Sequence, residues 1–254
     1  MTYTKDFYCG NAAGSHHAGE RILGDVIEKA RPGSVVDFGC GAGYWLKVAV
    51  DNGITDVCGL DGEYVARSGT LVIDENCFVP SDLSGKVDLR RKFDLAISVE
   101  VAEHIPTEYA ETFVDNLCRH SDVILFSAAI QGQGGMHHVN EKPLSYWCGL
   151  FLCQGYDLLD CLRGKYWHEK NLPYWYRQNI VLFVRHERVS HYFTIMGGTG
   201  GNIIDIVHPE LLAEKTLAKM VCGLFSKMLY RIGLAMPIKK VCATVRRVCR
   251  KAFS

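Results

Sequence analysis

The sequence predicts an α/β protein with a doubly wound, mostly parallel sheet of seven strands, followed by a basic helical appendage. Three observations carry this expectation. Short apolar, β-branched runs alternate with helix-period segments, the pattern of successive β-α-β units. Two of these runs, Val35-Val36-Asp37 and Val57-Cys58-Gly59-Leu60-Asp61, end in an acid. The first is joined to its helix by Gly39-Cys40-Gly41-Ala42-Gly43, a turn in which backbone approaches a ligand without side-chain obstruction.

From the N-terminus onward, apolar positions at Ile22, Leu23, Val26, Ile27 and Ala30 predict a helix over 19–30 that Pro32-Gly33 ends. The first strand is expected at 34–38, its helix at 44–52 and the second strand at 56–60. Phe78 to Leu83 reads as a weaker third strand, because Pro80 suits an end or edge. Phe93 to Val99 is the fourth, with a helix from Thr107 to Leu117 after it. Asp122 to Ser127 is the fifth, leading into a glycine-rich loop that runs to Asn140. Pro143 suits the first turn of the next helix, ending near Gln154-Gly155. Two last strands, 156–162 and 179–185, flank an aromatic loop. With no helix expected between them, they should pair antiparallel as an edge hairpin.

The chain has 254 residues, enough for one domain with an appendage. Its 48% hydrophobic content supports a sizeable core, and no apolar run is long enough to predict a membrane span. Met1 to Asp6 lacks a signal-peptide core, and the 11 cysteines are scattered without CxxC pairs. Reduced thiols and a cytoplasmic setting are therefore expected. Net charge is zero but uneven: Glu210 to Ser254 holds ten basic and two acidic residues, the remainder 18 and 26. An acidic main body argues against nucleic-acid binding. The Gly-rich stretch near Ile195–Gly201 suggests a boundary: a main domain over 1–190, a linker over 191–209 and a basic amphipathic tail over 210–254. That tail could lie on the inner face of an anionic membrane, pack on the domain or support a homodimer.

The glycine turn lacks the third glycine of the dinucleotide fingerprint, Tyr44 standing at that position. Asp37 suits a ligand amine and Asp61 a ribose diol at the carboxyl edge of the sheet. With VVDFGCGAG (35–43), VCGLDGEY (57–64), FVPSDLSG (78–85), FDLAISVEVAEHI (93–105) and VILFSAA (123–129), the chain resembles the class I S-adenosylmethionine-dependent methyltransferases across 15–186. The resemblance implies a Rossmann-like sheet with its last strand reversed, and S-adenosyl-L-methionine as cofactor. It assigns Asp37, Gly39, Gly41 and Gly43 to the methionine part of the cofactor and Asp61 to the ribose. Asp82 and Leu83 would read the adenine, and Glu100 would lie beneath the cofactor. Residues 131–141 and 174–179 are similar to a bacterial subgroup of uncharacterised or glycan-pathway methyltransferases.

On the acceptor side, in-line methyl transfer to a hydroxyl requires proton removal, for which a histidine is suited near neutral pH. His104, His137 and His138 lie beyond the fourth and fifth strands, and the base is expected within the 137–138 pair. An ion held by His138, Asn140 and Glu141 is weighed, but no metal is expected. Tyr166, Trp167, Tyr174, Trp175 and Tyr176 could stack on a planar or sugar acceptor or form a satellite core, and His16 and His17 could form a lid. The expected function is O-methylation of a small polar acceptor, most simply a saccharide in glycan or glycosylated-metabolite biosynthesis. The alternatives are O-methylation of an aromatic or polyketide hydroxyl, and a non-catalytic cofactor-binding partner subunit.

Overall fold

The computed structural model describes residues 14–197, 204–217 and 219–220. The chain divides into two compact units, Met1–Ile206 and Val207–Ser254. The first is built on one seven-stranded sheet in the order β3-β2-β1-β4-β5-β7-β6. Its strands are β1 (Ser34–Phe38), β2 (Asp56–Asp61), β3 (Phe78–Pro80), β4 (Leu95–Val99), β5 (Val123–Ser127), β6 (Tyr156–Leu159) and β7 (Val181–Arg185).

Strands β1 to β5 run parallel, while β7 is antiparallel to both β5 and β6. Every residue of β1 and β5 is buried, as continuous apolar strands of a sheet covered on both faces must be. Alternate side chains then serve opposite layers. Val35 joins Val26, Ile27, Trp45 and Leu46 on one face. Val36 and Phe38 join Phe113, Leu117, Trp147 and Phe151 on the other.

The first face carries a π-helical turn (Gly19–Leu23) running into α1 (Gly24–Ala30), and α2 (Tyr44–Asp51). A short α3 (Glu63–Ser68) comes after β2. The second face carries α4 (Ala110–His120) and α5 (Leu144–Cys153). The third strand is shorter than expected: after Pro80 the chain leaves the sheet, and Asp82 folds back to accept hydrogen bonds from the Ser84 N–H and hydroxyl.

One expectation is corrected. β6 and β7 do pair antiparallel, but two short helices, α6 (Arg163–Tyr166) and α7 (Tyr174–Asn179), lie between them. The aromatic run that reads as a loop is helical where its rings are buried. Tyr166 is covered and donates to the Arg21 carbonyl, and Tyr176 tilts against Trp45. Both therefore serve as core rather than as stacking platforms. Within the stretch assigned to the linker, residues 191–196 belong to α8 (Val189–Met196), whose Tyr192 and Met196 enter the first core. In the second unit residues 209–217 are helical, with Leu212, Leu217 and Met220 exposed. The rest of the expected basic tail lies outside the described residues. Among the described residues no helix is long and apolar enough to cross a membrane, and the seven cysteines are all free.

Candidate functional site

The parallel strands end along one edge, and the turns leaving β1, β2, β4 and β5 form the site. Because β7 is reversed, its beginning lies at the same edge. Asn179, just before it, thereby meets Glu100, just after β4.

The cofactor side starts at β1. Gly39 has φ +89° and donates its N–H to the Leu60 carbonyl at 2.7 Å. Any Cβ there would stand 2.5 Å from both methyls of Val101, so the turn is closed by glycine alone. Gly41 and Gly43 also have positive φ. Asp61 ties the turn to β2: it accepts from the Gly41 N–H at 2.8 Å, the Gly62 N–H at 2.7 Å and the Tyr64 hydroxyl at 2.7 Å. Burial pushes its pKa up, against these three donors.

Asp37 is different. It is 3% exposed and has no hydrogen bond or ion pair among the described residues. Burial, then the nearby Asp61 charge, raise its pKa well above the carboxylate range. A buried carboxylate in this state is costly until a cation or donor reaches it. An ammonium group on a ligand would be such a partner, and Asp61 nearby is a carboxylate acceptor of the kind that suits hydroxyls. Asp82 is exposed and Leu83 buried beyond β3.

The acceptor side is built on the turn after β4. Glu100 has φ +55°, a strained value for a non-glycine residue. Its N–H donates to the Ser127 carbonyl and hydroxyl, and its carboxylate accepts from Asn179 at 3.1 Å and Gln133 at 3.0 Å. Gln178 extends this buried amide network to Asn179 and Gln133. Burial still holds Glu100 above its ordinary pKa.

Three residues on, Glu103 is fully buried, and neither carboxylate oxygen has a well-formed hydrogen bond, the N–H groups of Glu103 itself and of Ala129 being the donors beside it. Burial, then Glu100, raise its pKa well above the usual value. Its backbone carbonyl accepts from the N–H groups of Val139 and Asn140, at 2.9 and 3.0 Å, pinning the glycine-rich loop to the β4 turn.

That pinning delivers His138. Its Nδ1 lies 2.9 Å from Glu141 and its Nε2 3.9 Å from Glu103, with the ring 4.9 Å from that of His104. Burial, with His138 beside it, pushes His104 down to about 4, so that imidazole is neutral at pH 7. His104 Nδ1 faces the His137 carbonyl at 3.3 Å. His137 itself is exposed at φ +61°, whereas His138 is half-buried. His16 and His17 lie on a helical turn beside Glu20, both within ion-pair distance of it.

Sequence reading missed Glu103, Gln133, Gln178 and Asn179 as site residues. For Glu103 the one signal was its position next to His104 after the fourth strand. The amides carried no such signal, because only the strand reversal brings them in.

Comparison with known proteins agrees with this architecture. Residues 16–129 match a family model described as a methyltransferase domain. Those residues carry a methyltransferase domain of the S-adenosylmethionine-dependent kind. That domain is similar to the sugar N-methyltransferase KedS8 from Streptoalloteichus, at 14% identity over 73% of this chain and 94% of that one, with a TM-score of 0.57. It is also similar to DesVI from Streptomyces venezuelae, at 14% identity over 70% and 95%, with a TM-score of 0.55. At such identities the methyltransferase domain shares a fold with these proteins, and its acceptor has to be argued from its own residues. A search of curated proteins returns no match.

Proposed function

We propose that this methyltransferase transfers the sulfonium methyl of S-adenosylmethionine to a hydroxyl of a small polar acceptor, a saccharide being the class that best suits the site. The observation that carries the reading is the His104–His138 pair beside the buried Glu103 at the end of β4. A pair of imidazoles and an unsatisfied carboxylate suit activation of a hydroxyl, whose proton must leave as the C–O bond forms. The surrounding loop exposes Gln131 and His137 beside two apolar side chains, Met136 and Val139, a mixed surface that suits the polar edge and apolar face of a sugar ring.

In this reading Asp37 receives the cofactor's ammonium and Asp61 its ribose. Glu100, braced by Asn179 and Gln133, holds the β4 turn in its strained form. Activation of the acceptor falls to His104 and His138 rather than to the exposed His137.

The test is binding and turnover on one preparation. Calorimetry with S-adenosylhomocysteine should show saturable binding in the wild type and in His138→Ala. Methyl transfer from labelled cofactor to a panel of nucleotide sugars and oligosaccharides should occur in the wild type and fall at least about 100-fold in His138→Ala. Methyl recovered on an amine or on a phenolic ring would overturn the saccharide-hydroxyl assignment. Unimpaired turnover by His138→Ala would remove the histidine from the chemistry.

A further inference from the structure

A buried carboxylate with no well-formed hydrogen bond is rare in a protein interior; around Glu103 stand its own N–H and that of Ala129, the Glu100 and Glu141 carboxylates, and the His138 imidazole at 3.9 Å. One potential ligand atom from each of Glu103, His104 and His138 lies within 4.8 Å of the others. Donors around a first-row cation with bonds of ~2.1 Å stand ~3–4 Å apart, so only a small contraction closes the set.

The neighbours of the two histidines have the arrangement that metal sites use. His138 directs Nδ1 to Glu141 and Nε2 toward Glu103. If the proton sits on Nδ1, as the carboxylate favours, the Nε2 lone pair points into the cluster. Glu141 is itself held by the Gly132 and Gly134 N–H groups at 2.8 and 2.6 Å. His104 turns one ring nitrogen to the His137 carbonyl, which fixes its tautomer in the same sense. The ring of His138 also lies where a side chain at position 135 would be: a Cβ there would stand 2.1 Å from Nε2.

The ion set weighed from the sequence, His138, Asn140 and Glu141, is not what the fold assembles. Asn140 Oδ1 accepts the Thr107 hydroxyl at 2.7 Å, and Glu141 is engaged by the glycine loop and by His138 Nδ1. The role of Glu141 is to orient a ligand.

We propose that Glu103, His104 and His138 bind a divalent first-row cation of the Mn²⁺ or Zn²⁺ type, which takes the acceptor hydroxyl at an open position. Two imidazoles and one carboxylate suit such ions and leave coordination positions free. The inference rests on the proposed function for its acceptor, but not for the cation. In the transfer, the coordinated O–H gives its proton to solvent water and the oxygen bonds to the methyl carbon. The C–S bond breaks with its electron pair staying on sulfur, and S-adenosylhomocysteine is released.

The test uses the full chain, stripped with EDTA and dialysed, then titrated with MnCl₂ (free ion monitored by EPR) and separately with ZnCl₂ by calorimetry. About one equivalent should bind to the wild type, and Glu103→Gln and His138→Gln should each weaken binding at least ~10-fold. Gly135→Ala, which moves the His138 ring without removing a ligand, should weaken it measurably as well. S-adenosylhomocysteine binding by each variant reports that it is folded. No uptake of either ion by protein that binds S-adenosylhomocysteine, or equal uptake by Glu103→Gln and wild type, would overturn the site. Methyl transfer to a hydroxyl that persists in EDTA overturns the cation and leaves the proposed function standing. Stoichiometric, Glu103-dependent binding without any methylated hydroxyl product does the reverse.

Discussion

The contact between Gly39 and Val101 sets how little the first turn can tolerate. Gly39→Ala should cost stability through two separable effects. The residue has φ +89°, where an L side chain is disfavoured by ~1–2 kcal/mol. Its new Cβ would also meet Cγ1 and Cγ2 of Val101 at 2.5 Å, an overlap of the kind that costs ~1–3 kcal/mol when a packed neighbour has to move. The single substitution should therefore destabilise by about 2–5 kcal/mol. Val101→Ala removes both offending methyls. In the double variant the steric part should shrink to the residual 3.1 Å approach of the Val101 Cβ while the backbone part stays, giving a coupling of about 1–3 kcal/mol in the favourable direction. Urea denaturation of the four proteins measures this, provided the m-value is unchanged. Additivity within ~0.5 kcal/mol would refute the steric account and leave conformational strain as the sole reason for glycine. S-adenosylhomocysteine affinity adds a second reading: rescue of stability without rescue of binding would show that the loop's shape, not only its tolerance, serves the cofactor.

Asn179→Ala leaves Glu100 Oε1 short of a buried donor and should lower stability by ~1–3 kcal/mol, seen as a lower thermal midpoint. Tyr64→Phe frees Asp61 of a donor that competes with a ribose diol; loss of a bond worth ~1 kcal/mol should tighten S-adenosylhomocysteine binding about fivefold by calorimetry. Burial would raise the pKa of Asp122, but hydrogen bonds and charge from Lys92 and Arg185 outweigh it, leaving the folded pKa depressed. Its stabilisation is therefore present above the unfolded pKa of ~3.9 and lost as pH falls through the folded value. Asp122→Asn should be less stable than wild type by ~1 kcal/mol at pH 7, with the gap in urea midpoint closing as pH falls below the unfolded carboxylate value.

The parallel half of the fold was legible because each strand is short, apolar and buried on both faces, so its pattern survives without tertiary help. Val35 to Phe38 and Val123 to Ser127 are examples. The stretch between β6 and β7 was not. α6 and α7 have four and six residues, too short for a helical period to emerge from a run of aromatics. Asp37 and Asp61 could be placed at the carboxyl edge from strand ends alone, and His104 and His138 from the loops after β4 and β5. Glu103 could be read only as a neighbour of His104, since its isolation is a property of packing. Asn179 lies 79 residues from Glu100, and only the order β5-β7-β6 makes them partners.

The charge pattern along this edge explains why one rim can serve two ligands. Asp37 and Asp61 raise each other's cost at the end of β1 and β2; Glu100 and Glu103 do so at the end of β4. Asp37, Asp61 and Glu103 are buried and Glu100 half-buried, and their raised pKa values reflect that ionising all four would make a negative potential concentrated where solvent is excluded. Such a potential is unfavourable to the empty protein and favourable to cations. In the proposed arrangement the cofactor brings two positive centres, an ammonium and a sulfonium, to the first pair. A divalent ion would bring two charges to the second, where the imidazoles offer lone pairs instead of protons. After methyl transfer the sulfonium is neutral, so the attraction for the product falls at the moment the product must leave. An edge rich in buried acids is therefore suited both to hold a sulfonium donor and to release its thioether.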